Sequence, residues 1–101
     1  MFQQVQNAKF PLGRVTVTAD AHALIPASEI ARALSRHGQG DWGEVDEETK
    51  AENEGGIGYA RLSICSRYRT HQGVFFHVMT LPERQQTLVM LGTLEESASY
   101  T

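Results

Sequence analysis

The C-terminal half of the chain carries three apolar stretches in which side chains alternate between two faces. They run over 59–69, 74–81 and 87–94, and they are rich in β-branched and aromatic residues. Alternation with a period of two is typical of half-buried strands, and short connections favour antiparallel neighbours. Gly73 lies in the first turn, where a positive φ is often needed. The pattern therefore predicts a three-stranded antiparallel meander.

The N-terminal half predicts one further strand and a short helix. Residues 10–18 are rich in β-branched side chains, which favours a strand. A short helical turn over 18–25 follows, with Thr18 as its N-cap. Pro26 ends this turn, because the residue before a proline is pushed out of the α region.

A second helix is expected from Glu29 to about His37. Ser28 is its expected N-cap, and Arg36 and His37 in the last turn complement the helix dipole as cations. Helical spacing places four residues on one buried face. They are Ile30, Ala33, Leu34 and His37.

A third helix is expected from Glu47 to about Asn53, with Asp46 as its N-cap and two glycines after it. Ala51 is almost its only apolar side chain, so this helix cannot bury a hydrophobic face. It must be a surface element held at its ends, and Trp42 just upstream is the expected anchor.

These elements predict one α+β domain over 1–101, with the helices packed on one face of the sheet and loose ends at 1–9 and 95–101. The middle strand of the meander is apolar on both faces. Its second face needs another cover, which a homodimer mate or a partner would supply.

Composition and motifs exclude several function classes. The single cysteine, Cys65, leaves no internal disulfide and no multi-cysteine metal site. The chain has neither a nucleophile elbow nor a phosphate-binding loop, so no cofactor and no catalytic residue is expected. It also lacks a membrane-length apolar run and a secretion signal, so we expect a cytoplasmic protein without a membrane partner. The histidines lack metal-ligand spacing; they are His22, His37, His71 and His77.

The net charge of −3 is unevenly distributed. Residues 41–54, the acidic segment, contain seven acidic side chains against Lys50 alone, and the rest of the chain is net basic. The acidic total disfavours direct binding of nucleic acid. The segment is either the solvated face of a surface helix or a patch that docks on a basic surface of a larger protein, such as a nucleic-acid-binding defence complex. The expected partner-binding residues are Asp41, Trp42, Glu44, Glu47, Glu48, Glu52 and Glu54.

A second candidate surface is the basic and aromatic face of the first meander strand. Arg61, Arg67 and Arg69 alternate along it, near Tyr59 and His71. This face could hold RNA phosphates, or it could pair with the acidic helix of the same chain or across an interface. The cysteine of the same strand is either activated by the nearby arginines or a small half-buried residue.

The string Gly-Asp-Trp-Gly at 40–43 is the most distinctive in the chain. A tryptophan between a carboxylate and glycines favours a tight turn that plants the ring in the core, while Asp41 accepts from neighbouring amides. Alternatively, Asp41 and Trp42 form part of a recognition surface, because tryptophan is enriched at binding hot spots.

This string lies in a run, 36–53, that resembles a small family of prokaryotic proteins carried on plasmids, phages and other mobile elements. The family reads Arg-His-x-x-Gly-Asp-Trp-Gly and then an acidic helix that ends on Asn, as here. The resemblance extends over about 12–94 through Arg61-Leu62 and the two later strands. The chain departs from the family at Phe76-His77, where a Trp is usual, and at 92–96.

The resemblance implies a small accessory protein of a mobile element that counters host defence, as an anti-restriction or anti-CRISPR factor. On this expectation the protein is a non-enzymatic inhibitor that docks through its acidic segment. The alternative is a RelE-type ribonuclease toxin, because those toxins share the order of strand, helices and meander. Its candidate residues are Arg61, Arg67, Arg69 and Tyr68.

Overall fold

The computed structural model describes residues 8–92, which form three helices and a four-stranded sheet. The predicted loose ends lie outside the described residues except at 8 and 9, where the Lys9 N–H donates to the Gly38 carbonyl at 2.7 Å. The elements in chain order are β1 (Arg14–Val17), α1 (Ala19–Leu24), α2 (Ala27–Gly38), α3 (Glu47–Gly56), β2 (Ile64–Arg69), β3 (Phe75–Thr80) and β4 (Gln86–Leu91), with a 3₁₀ turn (Pro82–Arg84) before β4.

The α+β class is confirmed, but the sheet is larger than the predicted meander. Its strand order is β1-β4-β3-β2, and β2, β3 and β4 are antiparallel neighbours. β1 adds to the edge of this meander, parallel to β4, with Arg14 opposite Gln86. All three helices and two strands lie between β1 and β4 in the chain, which supplies the long connection that a parallel pairing needs.

The first meander strand is shorter than predicted, because β2 begins only at Ile64. Arg84, which is buried, donates from its guanidinium to three carbonyl oxygens of residues 56–62 at 2.6 to 3.1 Å. These bonds hold the residues before β2 in turns instead of a strand. The prediction that Arg61 belongs to the strand face is therefore wrong.

The ends of α1 and α2 follow the sequence signals only in part. The Thr18 hydroxyl accepts from the Ala21 N–H at 3.4 Å, which confirms that cap. The predicted Ser28 cap is wrong, because α2 already begins at Ala27 and the Pro26 carbonyl accepts its first backbone hydrogen bonds. Ser28 consequently lies inside the first turn of the helix.

The core lies between the helices and one face of the sheet, and His37 is part of it. His37 shares the buried face of α2, as predicted, but it is fully buried and does not act as a cationic end cap. Burial lowers its pKa to about 3, so the imidazole is neutral. The apolar core consists of Phe10, Leu12, Ala21, Ile25, Ile30, Ala33, Leu34, Trp42, Ile64, Tyr68, Phe76, Val78 and Val89.

A chain of buried hydrogen bonds fixes the tautomer of His37. The Thr87 hydroxyl donates to the Leu12 carbonyl at 2.7 Å, so it accepts from the Thr80 hydroxyl at 2.7 Å. The Thr80 oxygen therefore accepts from Nε2–H of His37 at 2.9 Å. Nδ1 of His37 is left to accept from the Ser66 hydroxyl at 2.6 Å. Every member of this relay is satisfied with a neutral imidazole.

Candidate functional site

The turn at 40–43 places the side chain of Trp42 in the core. Its indole is 3% exposed and lies against the rings of Phe10 and His37, at centroid distances of 6.2 and 5.9 Å. The Gly43 N–H donates to Asp41 Oδ1 at 3.3 Å, which is the turn contact predicted for that carboxylate. The interpretation of Trp42 as a partner-binding residue needs correction, because its ring does not reach the surface.

The same segment covers the outer edge of β2. The Arg67 N–H donates to the Trp42 carbonyl at 3.1 Å, and the Glu44 N–H donates to the Arg67 carbonyl at 2.7 Å. Gly43 lies between them with φ +73°, and a Cβ at this position would collide with the Arg67 carbonyl oxygen. Glycine is therefore required both for the conformation and for the close approach.

Both ends of α3 are held by charge-assisted contacts. At its start, the Asp46 carboxylate accepts from the Thr49 N–H at 2.8 Å, as the sequence predicts for this cap. At its end, Arg84 donates to the carbonyl of Gly56, the last residue of the helix. A cation at this place opposes the negative end of the helix dipole, and α3 has no basic residue in its own last turn.

The middle of α3 is tied to the sheet by two polar side chains. Asn53, 2% exposed, donates from its amide nitrogen to the Cys65 carbonyl at 2.7 Å and accepts from the Cys65 N–H at 3.1 Å. Glu54 accepts from the Trp42 indole N–H at 2.9 Å. Sequence reasoning misses the role of Asn53, whose only signal in the sequence is its place at the end of the predicted third helix.

Two acidic residues of the segment form ion pairs within the chain. Asp41 accepts from Nε and Nη2 of Arg36 at 2.8 and 3.1 Å, and this arginine lowers the pKa of the Asp41 carboxyl. Glu44 accepts from Arg69 in the same two-pronged manner at 2.9 to 3.1 Å. Arg69 therefore pairs with the acidic segment at Glu44, which precedes α3, and not with the acidic helix that the sequence predicts as its partner.

Three carboxylates on the outer face of α3 remain uncommitted. Glu47, Glu48 and Glu52, here called the α3 carboxylates, are exposed, and none makes a hydrogen bond or ion pair with another described residue. Lys50 is also exposed without an ion pair to any described residue. The other acids of the segment are engaged in the turn, the cap, the indole contact or the two ion pairs.

The alternative basic face is not assembled as one surface. Arg67 and Arg69 leave β2 on the face opposite the helices, whereas Tyr68 points into the core. The Tyr68 hydroxyl donates to the Asp41 carbonyl at 2.6 Å, and burial raises its pKa. Because Arg61 lies in the turns before β2, the four candidate residues of the toxin alternative do not share a face.

Cys65 is half-buried on the second face of the sheet. Burial raises the pKa of its thiol to about 11, so the neighbouring arginines do not activate it. On the same face Phe75 and Met79 are half-buried and His77 is buried. The expectation that a dimer mate covers this face stays a prediction.

Within residues 8–92, no group of three or more histidine, cysteine, aspartate or glutamate side chains is placed to hold a metal ion. No helix in this range is long and apolar enough to cross a membrane. No protein-family model matches the chain, and neither a curated protein nor a solved structure shows significant similarity to it.

Proposed function

We propose that this protein is a small non-enzymatic interaction protein that presents the α3 carboxylates to a basic surface of a larger protein. The observation that carries the proposal is the contrast between the two faces of α3. Its inner face is fixed by Asp46, Asn53, Glu54 and Arg84, although the helix buries only Asn53 and Gly56 of its own residues. Its outer face carries carboxylates that form no hydrogen bond or ion pair with another described residue.

A fixed row of carboxylates suits recognition by charge complementarity. Such complementarity steers a partner toward the surface and disfavours wrong partners. A rigid helix loses little conformational entropy on binding, because its anchors have already ordered it. The contact should weaken as salt rises, since exposed charges are screened over about 8 Å at physiological ionic strength.

The individual residues divide into contact and positioning roles in this proposal. Glu47, Glu48 and Glu52 contact the partner. Asp41 and Glu44 orient the segment through their ion pairs with Arg36 and Arg69, and Trp42 positions it from the core.

The class of partner rests on the resemblance of residues 36–53 to proteins of mobile elements. We infer an anti-restriction or anti-CRISPR role, in which the basic surface belongs to a nucleic-acid-binding defence complex in the cytoplasm. An acidic helix would occupy the groove that otherwise holds nucleic acid, which is a direct route to inhibition.

Affinity capture from a nuclease-treated lysate of the native cells tests the proposal. The bait variants are Glu47→Gln/Glu48→Gln/Glu52→Gln and the control Ala23→Lys/Ala31→Lys/Gln72→Lys. Both variants bring the formal net charge to zero, but the control changes exposed positions outside α3. A basic protein that the native chain and the control retain, and that the glutamine variant loses, supports the proposal. Capture of the same proteins by all three baits contradicts it.

A further inference from the structure

An open cleft of about 630 Å³ lies between α2 and the turn that joins β2 to β3. It is separate from the outer face of α3, and the inference drawn from it does not rest on the proposed function. Three arginines line it, together with one acid. The charged and polar residues that matter are Ser28, Glu29, Arg32, Arg36, Arg69 and His71.

Arg32 and Arg36 lie one helical turn apart on α2, and both line the cleft. A like-charged pair at this spacing destabilises a helix. Asp41 offsets the charge of Arg36, but Arg32 is exposed and makes no contact with another described side chain. An anion in the cleft would relieve this repulsion.

The other two guanidinium groups are already oriented. Arg36 is held by Asp41 and lies 4.7 Å from the centroid of the Tyr68 ring. Arg69 is held by Glu44. Arg36 uses its Nε and Nη2 groups for Asp41, so its Nη1 amino group remains available to a ligand, whereas Arg69 points to the opposite face of the sheet and only borders the cleft. The carboxylates thus act as orienting groups behind the arginines.

Glu29, the only acid in the lining, is itself engaged. Its Oε1 accepts from the backbone N–H of His71 at 3.1 Å, which ties the β2–β3 turn to α2 beside the cleft. The lining therefore carries an excess of positive charge on a chain whose net charge is −3.

We propose that this cleft binds the phosphate group of a small phosphate monoester. Guanidinium groups match the geometry of phosphate oxygens, and oriented guanidinium groups bind them with little loss of entropy. A polyanion fits less well, because Asp41 and Glu44 pair with Arg36 and Arg69 and would repel additional phosphates. Arg32 supplies the only uncommitted charge and should contribute most to affinity.

Titration followed by NMR tests the site, with inorganic phosphate and adenosine monophosphate as probes at an ionic strength held constant with sodium chloride. Saturable shifts are expected at Arg32, Arg36 and His71. Arg32→Ala should weaken binding about tenfold or more, which is the effect of losing one charge-assisted hydrogen bond. The matched control is Arg61→Ala, an exposed arginine outside the cleft, which should change affinity less than about twofold.

Equal losses in Arg32→Ala and Arg61→Ala, or shifts that do not saturate, would overturn the proposal. A single-stranded RNA oligonucleotide that binds much more tightly than adenosine monophosphate would also overturn it, in favour of a polyanion site. Thermal unfolding of Arg32→Ala provides the folding control. Its midpoint should equal or slightly exceed that of the native chain, because Arg32 makes no contact that folding requires and its removal relieves the repulsion from Arg36.

Discussion

At the scale of single residues, the core contains a buried hydrogen-bond relay that allows only one protonation state of His37. His37 must stay neutral, because Thr80 requires a donor at Nε2 and Ser66 supplies a proton to Nδ1. Protonation would place an unpaired charge among the rings of Phe10 and Trp42. The relay is therefore a source of pH-dependent stability.

Acid should destabilise the fold through His37 well before the carboxylates titrate. The folded pKa of about 3 lies below the ordinary histidine value of 6.5, so the unfolded chain binds a proton that the folded chain excludes. This stabilisation is complete above pH 6.5 and is lost as pH falls toward 3. Urea unfolding should show a loss of about 2 kcal/mol between pH 7.5 and 5.0, at about 1.4 kcal/mol per pH unit.

Two variants identify the histidine responsible. His37→Gln should abolish this pH dependence, whereas His71→Gln, at an exposed position, should preserve it. If His37→Gln does not fold, NMR of the native chain supplies the same information. A His37 imidazole that titrates between pH 5 and 8 would refute the neutral relay.

Gly43 and Gly55 should respond to alanine in opposite directions. Gly43→Ala forces a left-handed residue against the Arg67 carbonyl and should cost about 2–4 kcal/mol. Gly55 lies inside α3 with no atom near its missing Cβ, so Gly55→Ala should stabilise by about 0.5–1 kcal/mol. Chemical denaturation measures both changes. A neutral Gly43→Ala would show that the segment does not approach β2 closely.

At the scale of elements, α3 is a helix stabilised by polar contacts instead of an apolar face. On its inner side, the Asn53 side chain makes the hydrogen bonds at the edge of β2 that a neighbouring strand would otherwise make. The two hydrogen bonds satisfy both backbone groups of Cys65 and protect the edge from pairing with another chain.

Asn53→Ala should therefore destabilise the protein by about 2–3 kcal/mol, because it removes two hydrogen bonds at a buried position. The Cys65 amide should exchange its hydrogen faster as well. Lys50→Ala, an exposed change on the same helix, should alter stability by less than about 0.5 kcal/mol. Equal effects of the two substitutions would mean that Asn53 does not hold α3 to the sheet.

The elements show which features a sequence can predict. The Asp46 cap and the buried face of α2 depend on residues within one or two turns, and both are found as predicted. The pairing of Arg14 with Gln86 and the bonds from Arg84 to residues 56–62 join distant parts of the chain. No local pattern encodes such contacts, so the parallel β1 and the late start of β2 are not predictable from periodicity.

At the scale of the whole molecule, the fold divides the acidic residues into those that pair within the chain and those that stay exposed. The acidic segment looks uniform in sequence, but the fold commits Asp41, Glu44, Asp46 and Glu54 to contacts within the chain. The sequence locates the acidic segment but does not show which of its acids form ion pairs. Arg36 and Arg69 contact Asp41 and Glu44 only in the folded chain. The α3 carboxylates are what remains for a partner.

The affinity of the captured partner for three forms of the protein, measured by calorimetric titration at one ionic strength, tests this division. The three forms are the native chain, Glu47→Gln/Glu48→Gln/Glu52→Gln and Ala23→Lys/Ala31→Lys/Gln72→Lys. We predict a loss of at least about tenfold, or 1.4 kcal/mol, for the glutamine variant and less than about threefold for the lysine control. Equal affinity of the native chain and the glutamine variant would contradict a function carried by the outer face of α3.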